Sequence, residues 1–174
     1  FRIEPASELD EAATNAELAL MVDESHDQGL IDNQEYALIE SAIAFGQTFA
    51  TSVMAEIEDV HSVPVDSSIV EIEEQIVKTG HTRLVVHGRD MNDVRGFVHS
   101  KDLLHVREKN QSLTPDLIRP MLRVDPNSTL PDVLQLMRRS QIHLAVVTSD
   151  GSNFGVLTLD DVMRGLVGPL LHEQ

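Results

Sequence analysis

Two stretches of this chain run through the same order of residue types. Val63-Pro64-Val65-Asp66-Ser67-Ser68-Ile69 opens one, which continues through Thr82-Arg83-Leu84-Val85-Val86 and closes at Gly96-Phe97-Val98-His99-Ser100-Lys101-Asp102. Val124-Asp125-Pro126-Asn127-Ser128-Thr129-Leu130 opens the other. It continues through His143-Leu144-Ala145-Val146-Val147 and closes at Gly155-Val156-Leu157-Thr158-Leu159-Asp160-Asp161. An internal duplication constrains a fold more than local propensity does, because both copies must become the same unit. Two copies are too few for a solenoid, so a paired module is expected.

Each copy reads strand, helix, strand, strand, helix. In the first, Asp66 or Ser67 precedes an amphipathic helix carrying Ile69, Ile72, Ile76 and Val77, which Gly80 ends. Leu84 to Val86 and Gly96 to Val98 are short buried strands around a turn at residues 88–92, and a helix starts over Lys101 to Arg107. In the second, Ser128 is the expected cap of a helix with Pro131 in its first turn, and Val133, Leu134 and Met137 face inward. Leu144 to Val147, a Ser149-Asp150-Gly151 turn, Gly155 to Leu157 and Asp161 to Leu166 repeat the plan. A β-α-β-β-α unit leaves one sheet face open, and two such units can cover each other, with a ligand groove between them. Upstream, apolar residues keep helical spacing from Glu8 to Asp27, and Gly29 supplies a stop. A second helix capped by Asp32 or Asn33 carries Tyr36 to Phe45, and Gly46 ends it or marks a close approach. The fold class expected is therefore α+β, divided as a linker and helical hairpin at 1–47, a first repeat at 48–110, and a second repeat with a short tail at 111–174. Residues 1 to about 8 and 107–117 read as linkers. With Phe1 in place of an initiator Met, a piece of a longer chain is expected.

Composition removes several function classes. The formal charge of −16 opposes nucleic acid and anionic lipid, whose affinity comes mainly from Lys and Arg. The absence of cysteine removes disulfide scaffolds and thiolate metal sites. No run reaches the roughly 20 apolar residues that span a bilayer. A small anionic ligand remains compatible, since exposed charges are screened beyond about 8 Å and a few local cations can dominate a pocket.

The chemical motifs are few. Asp23-x-Ser25-x-Asp27 resembles the start of a calcium loop, yet the required Gly and Glu positions hold Gln28 and Gln34. The eight histidines show no ligand spacing, and His143 reads as a packed or hydrogen-bonded side chain, so no metal site is expected. No nucleophile elbow, P-loop or dinucleotide fingerprint is present, so no catalytic residues are assigned. What stands out is Gly155-Val-Leu-Thr158-Leu-Asp-Asp161, where a strand runs into a helix N-terminus with unsatisfied amides. A carboxylate there caps the helix and can also accept bonds from vicinal hydroxyls. Gly96 to Asp102 places the same elements at the same point of the first copy.

These residues resemble tandem cystathionine β-synthase (CBS) domains, whose Gly-h-h-Thr-x-x-Asp motif binds the ribose of adenine nucleotides. Residues 20 to 168 are similar to the cytosolic part of the CNNM/CorC family, also called hemolysin-like. The resemblance rests on Glu35-Tyr-Ala-Leu-Ile-Glu40, Val53-Met54, Gly80-His81-Thr82-Arg83, Val98-His99-Ser100-Lys101-Asp102-Leu103-Leu104, Arg138-Arg139-Ser140-Gln141-Ile142-His143 and Gly155 to Val162.

The resemblance implies that Thr158 and Asp161 hold ribose hydroxyls, that Arg83 approaches the phosphates, and that His81 lies near the base. Asp102 is the counterpart of Asp161, but His99 replaces the threonine, so the second pocket is expected to be weak or empty. Where the family reads Val-Met-Thr-Pro this chain has Ala55 and Glu56, which removes a hydroxyl near the base and adds a negative charge. Thr148-Ser149-Asp150-Gly151 replaces the family's Asp-Glu-Tyr-Gly. The implied function is a non-enzymatic regulatory pair at the cytoplasmic face of a membrane. It would sense AMP, ADP or ATP, with Mg²⁺ accompanying ATP, and control a divalent-cation transporter such as one for magnesium or cobalt. The implied partners are a second copy, forming a homodimer through the repeats, and a parent transmembrane domain. The rival reading is a ligand-free dimerisation scaffold.

Overall fold

The computed structural model describes residues 8–167. The expected N-terminal linker and C-terminal tail fall on residues 1–7 and 168–174, outside the described residues, as do the side chains of residues 8–13 and Val167. The chain forms two compact units. Of the described residues, one holds 8–48 and 163–167; the other is Phe49–Val162.

In the first unit, helix α1 (Glu8–Asp27) turns at Gly29, whose φ of +70° suits glycine, into helix α2 (Asn33–Gln47). Asp32 Oδ1 accepts from the N–H groups of Gln34 and Glu35, and Glu35 Oε2 accepts from the Asp32 N–H, closing a capping box. The helix passes Gly46 and stops one residue later, at the extended Thr48. A glycine in a last helical turn lowers propensity without ending the helix. Tyr36 joins the two helices: its hydroxyl donates to Asp23 Oδ1 at 2.8 Å, and its ring stacks on His26 at 4.5 Å. The bond to Asp23, then burial and Glu40, push the phenol up to about 12. Tyr36 is the sole tyrosine, so an ultraviolet pH titration reads it alone. We expect a midpoint near 12 for the wild type and one close to the ordinary value of about 10 for Asp23→Asn.

The second unit contains both copies up to Val162, in the first turn of the last helix. After strand β1 (Ala55–Glu56), the first copy runs β2 (Ser62–Pro64), α3 (Ile69–Thr79), β3 (Arg83–His87), β4 (Val94–His99) and α4 (Ser100–Leu103). The second runs β5 (Leu122–Val124), α5 (Leu130–Ser140), β6 (Leu144–Ser149), β7 (Ser152–Thr158) and α6 (Leu159–Val167). In each, the first strand lies parallel to the second and the third antiparallel, giving sheet orders β2-β3-β4 and β5-β6-β7. This is the α+β duplication that the sequence predicts.

Alternation along the strands explains the packing. Leu84, Val86 and Val98 bury one face of the first sheet with Val63 and with Ile69 and Ile72 of α3. Val85 and Phe97 point the other way and pack with Leu144 and Val156 of the second copy, so each open sheet face is covered by the other repeat. The caps differ by a residue from those expected. Ser68 caps α3, because Glu71 sits three residues on and completes a capping box. Thr129 precedes α5, and its hydroxyl donates to Asp132. Helix α4 is shorter than expected. The chain turns back at Leu104, and Lys109 Nζ donates to the Leu103 carbonyl at 2.7 Å. Carbonyls of Lys109 and Gln111 then accept from Val70 and Ile69, satisfying first-turn amides of α3 that would otherwise be orphaned. The segment read as a linker is thus part of the first copy's core, with Leu113 buried in it.

The segment preceding each copy joins the other copy's sheet. Ala55 of β1 pairs with Val156 and Glu56 with Gly155. In the same way Arg119 pairs with Phe97, each N–H donating to the other's carbonyl at 2.8 and 2.9 Å. The crossing brings backbone against Gly155 and Gly96: a Cβ would lie 2.2 Å from the Ala55 oxygen at one and 2.3 Å from the Arg119 oxygen at the other. Gly155 lies in mid-strand and does not begin it, because β7 starts at Ser152.

Candidate functional site

Strand β7 delivers Thr158 to the start of α6, where it forms a reciprocal cap with Asp161. Asp161 Oδ2 accepts from the Thr158 N–H at 2.8 Å and its hydroxyl at 2.7 Å, while Thr158 Oγ1 accepts from the Asp161 N–H at 3.2 Å. Both side chains line a cavity of about 250 Å³ between the repeats. Arg83, at the start of β3, and His81, just before it, line the same cavity from the first copy, and Ala55 lines it from the crossing strand. Val85, Leu144 and Val156 supply an apolar wall. One carboxylate–hydroxyl pair, one guanidinium and imidazoles over an apolar wall form a donor and acceptor set that suits a nucleoside phosphate. Among the described residues no group of His, Asp and Glu could hold a metal ion.

The sequence reading does not pick out His61. Its ring lies 4.5 Å from that of His81, tilted by 54°, and both line the cavity with Asp59, Val60 and Thr82. His61 enters because its carbonyl accepts from Val85 at the edge where β2 begins. The duplication carries no signal for it, since Leu122 stands at the matching place in the second copy.

Asp102 is not in that cavity. It accepts two hydrogen bonds from Arg119, at 2.6 Å from Nε and 2.7 Å from Nη2. The pairing of Arg119 with Phe97 matches that of Ala55 with Val156, so Arg119 is the structural counterpart of Ala55. A signal existed in Arg119-Pro120, which precedes the second copy as Ala55-Glu56 precedes the first. His99 does what Thr158 does for the cap: its Nδ1 accepts from the Lys101 N–H at 3.2 Å. A second cavity of about 260 Å³ is lined by Arg83, His99, Lys101, Arg119, Gln141 and His143, among others. His143 is exposed there, in contrast to the packed or hydrogen-bonded side chain expected, two residues after the left-handed Gln141 (φ 58°) that ends α5.

The Arg119 guanidinium holds the Asp102 carboxyl below the usual carboxylate range. Burial, then the charges of Arg83 and Lys101, push the His99 imidazole down, which keeps it neutral at pH 7. The folded Asp102 binds its proton more weakly than the unfolded one. Its contribution to stability is therefore full above the unfolded value of about 4 and is lost as pH falls through the folded one. We expect Asp102→Asn to be less stable than wild type in denaturant melts at pH 7, and the gap to close as the pH is taken below about 4.

Three comparisons with known proteins place the chain. The CBS domain family matches residues 50–109 and 116–168. An uncharacterized protein of Mycobacterium tuberculosis is 33% identical over 175 residues, covering 97% of this chain and 50% of its own length. The UPF0053 protein in the cps region of Klebsiella pneumoniae is 30% identical over 171 residues, covering 97% of this chain and 53% of its own length. The chain thus spans about half the length of the curated relatives it matches. Among solved structures, the CBS domain of a bacterial CNNM/CorC family Mg²⁺ transporter is similar with a TM-score of 0.80 at 23% identity, covering 94% of this chain and 97% of that one. The same type of domain in complex with ATP gives 0.73 at 22% identity, covering 78% and 98%. With two matched segments that coincide with its two structural repeats, the chain belongs to the CBS domain family as a tandem pair, with UPF0053 (hemolysin-like) proteins as homologues and CNNM/CorC transporter domains as structural neighbours.

Proposed function

We propose that this CBS pair senses an adenine nucleotide and regulates a membrane divalent-cation transporter to which it is joined. Thr158 and Asp161 hold the ribose, Arg83 meets the phosphates, and His81, with His61, flanks the base. Mg²⁺ accompanies the nucleotide when it is ATP. The observation that carries this reading is the convergence of those residues, drawn from both repeats, on one cavity. The ATP complex of the CNNM/CorC domain supports the ligand class. Ligand in that cavity touches both copies, so it favours the relative arrangement of repeats that it binds better, and that difference in affinity is the regulatory signal. The pair acts as a homodimer at the cytoplasmic face of the membrane, without catalysis.

Ala55 favours one other reading. It lines the cavity where a hydroxyl is expected, as suits a dimerisation scaffold with a vacant groove. Calorimetric titration with ATP, ADP and AMP, with and without Mg²⁺, decides between them. Saturable heat with at least one nucleotide is expected; silence with all three, in both conditions, leaves the scaffold.

A further inference from the structure

The second cavity has a chemistry of its own. Arg83, Lys101 and Arg119 line it together with His99 and His143, and no carboxylate is among its lining residues. Such a concentration of cations is unexpected in a chain with only 13 Lys and Arg against 29 Asp and Glu. Arg119 is already neutralised by Asp102. Arg83 and Lys101 are not: among the described residues neither side chain has a hydrogen-bond or ion-pair partner. Their fields meet at His99, whose imidazole both push down. Uncompensated cations around a concave surface make an anion site, and guanidinium and ammonium groups match phosphoryl oxygens.

The same geometry argues against a nucleoside there. The carboxylate that would accept a sugar's hydroxyls is Asp102, which is not among the cavity's lining residues and is held through both oxygens by Arg119. In the other half the matching backbone position is Ala55, which has no charge to offer. We propose that the second cavity binds a small phosphoryl anion through Arg83 and Lys101, with Arg119 fixed by Asp102 as the third wall. Because Arg83 lines both cavities, this anion is in direct communication with whatever occupies the first. The assignment stands on the cavity's own cations and does not require the nucleotide reading.

Inorganic pyrophosphate is the probe, titrated calorimetrically into the intact chain at constant ionic strength. Saturable binding is expected, about tenfold weaker in Lys101→Gln and restored in Lys101→Arg, since one charge-assisted contact is lost and regained. Lys101 is exposed, so neither substitution endangers the fold. The same variants titrated with ATP and with AMP identify the source of the anion. If Lys101→Gln weakens pyrophosphate and leaves ATP untouched, the anion is a separate ligand. If ATP weakens and AMP does not, the phosphoryl groups are the tail of a nucleotide seated next door. Pyrophosphate and ATP both insensitive to Lys101→Gln, or no pyrophosphate binding together with unchanged ATP binding, overturns the proposal.

Discussion

In an Asp161→Ala chain, nucleotide affinity is expected to fall about a hundredfold while the fold survives. A ribose diol would place two hydroxyl donors on this carboxylate, and hydrogen bonds to a charged group contribute about 1.5–3 kcal/mol each. Losing roughly 3 kcal/mol corresponds to about two orders of magnitude in Kd. The structural cost is smaller. Asp161 Oδ2 accepts from both the N–H and the hydroxyl of Thr158 at the start of α6, so its removal opens a cap worth about 1 kcal/mol. Calorimetry and a thermal melt on the same sample separate the two effects. Asp161→Asn keeps the shape and loses the charge, and should fall between wild type and alanine. Unchanged affinity in Asp161→Ala would mean that the sugar is held elsewhere.

Gly96→Ala is expected to cost about 3 kcal/mol in stability. Its φ of +152° is one that side chains rarely adopt, and the added Cβ would meet the Arg119 oxygen at 2.3 Å and Ile118 Cγ2 at 2.8 Å. Overpacking typically costs about 1–3 kcal/mol and a strained backbone a similar amount. The Arg119 oxygen cannot retreat cheaply, because it accepts from the Phe97 N–H in the crossing that joins the repeats. For a chain of this size the melting temperature should drop by roughly 6–12 °C. Gly46→Ala is the control: it lies in α2 with nothing within 4 Å of its would-be Cβ, so its melting temperature should hold or rise. Equal melting of both variants would remove the crossing strand as the reason for glycine at position 96.

The architecture was legible because hydrophobic period and duplication are properties of sequence order. Alternation in Leu84-Val85-Val86 states that both faces of that strand are covered, and a repeat states that a second sheet exists to cover one of them. The Gly-x-x-Thr-x-x-Asp spacing likewise marks Thr158 and Asp161 as a strand-to-helix cap. Less was legible where residues distant in the sequence meet. Helix α4 ends early because Lys109 reaches back to Leu103, a contact that no helical periodicity encodes. His61 comes within 4.5 Å of His81 only because β2 lies beside β3.

Asp102 and Asp161 show the division most plainly. From order and spacing alone they are equivalents, each three residues after the cap-forming residue of its copy. Only the folded chain distinguishes them, since the segments crossing between repeats bring Ala55 to one half and Arg119 to the other. Local residue pattern determined the two identical frames, because strand and helix periods need only near neighbours. Tertiary structure decided which carboxylate faces a cavity and which is held by a guanidinium, because that depends on residues far apart in the chain that meet only after the sheets exchange their leading strands.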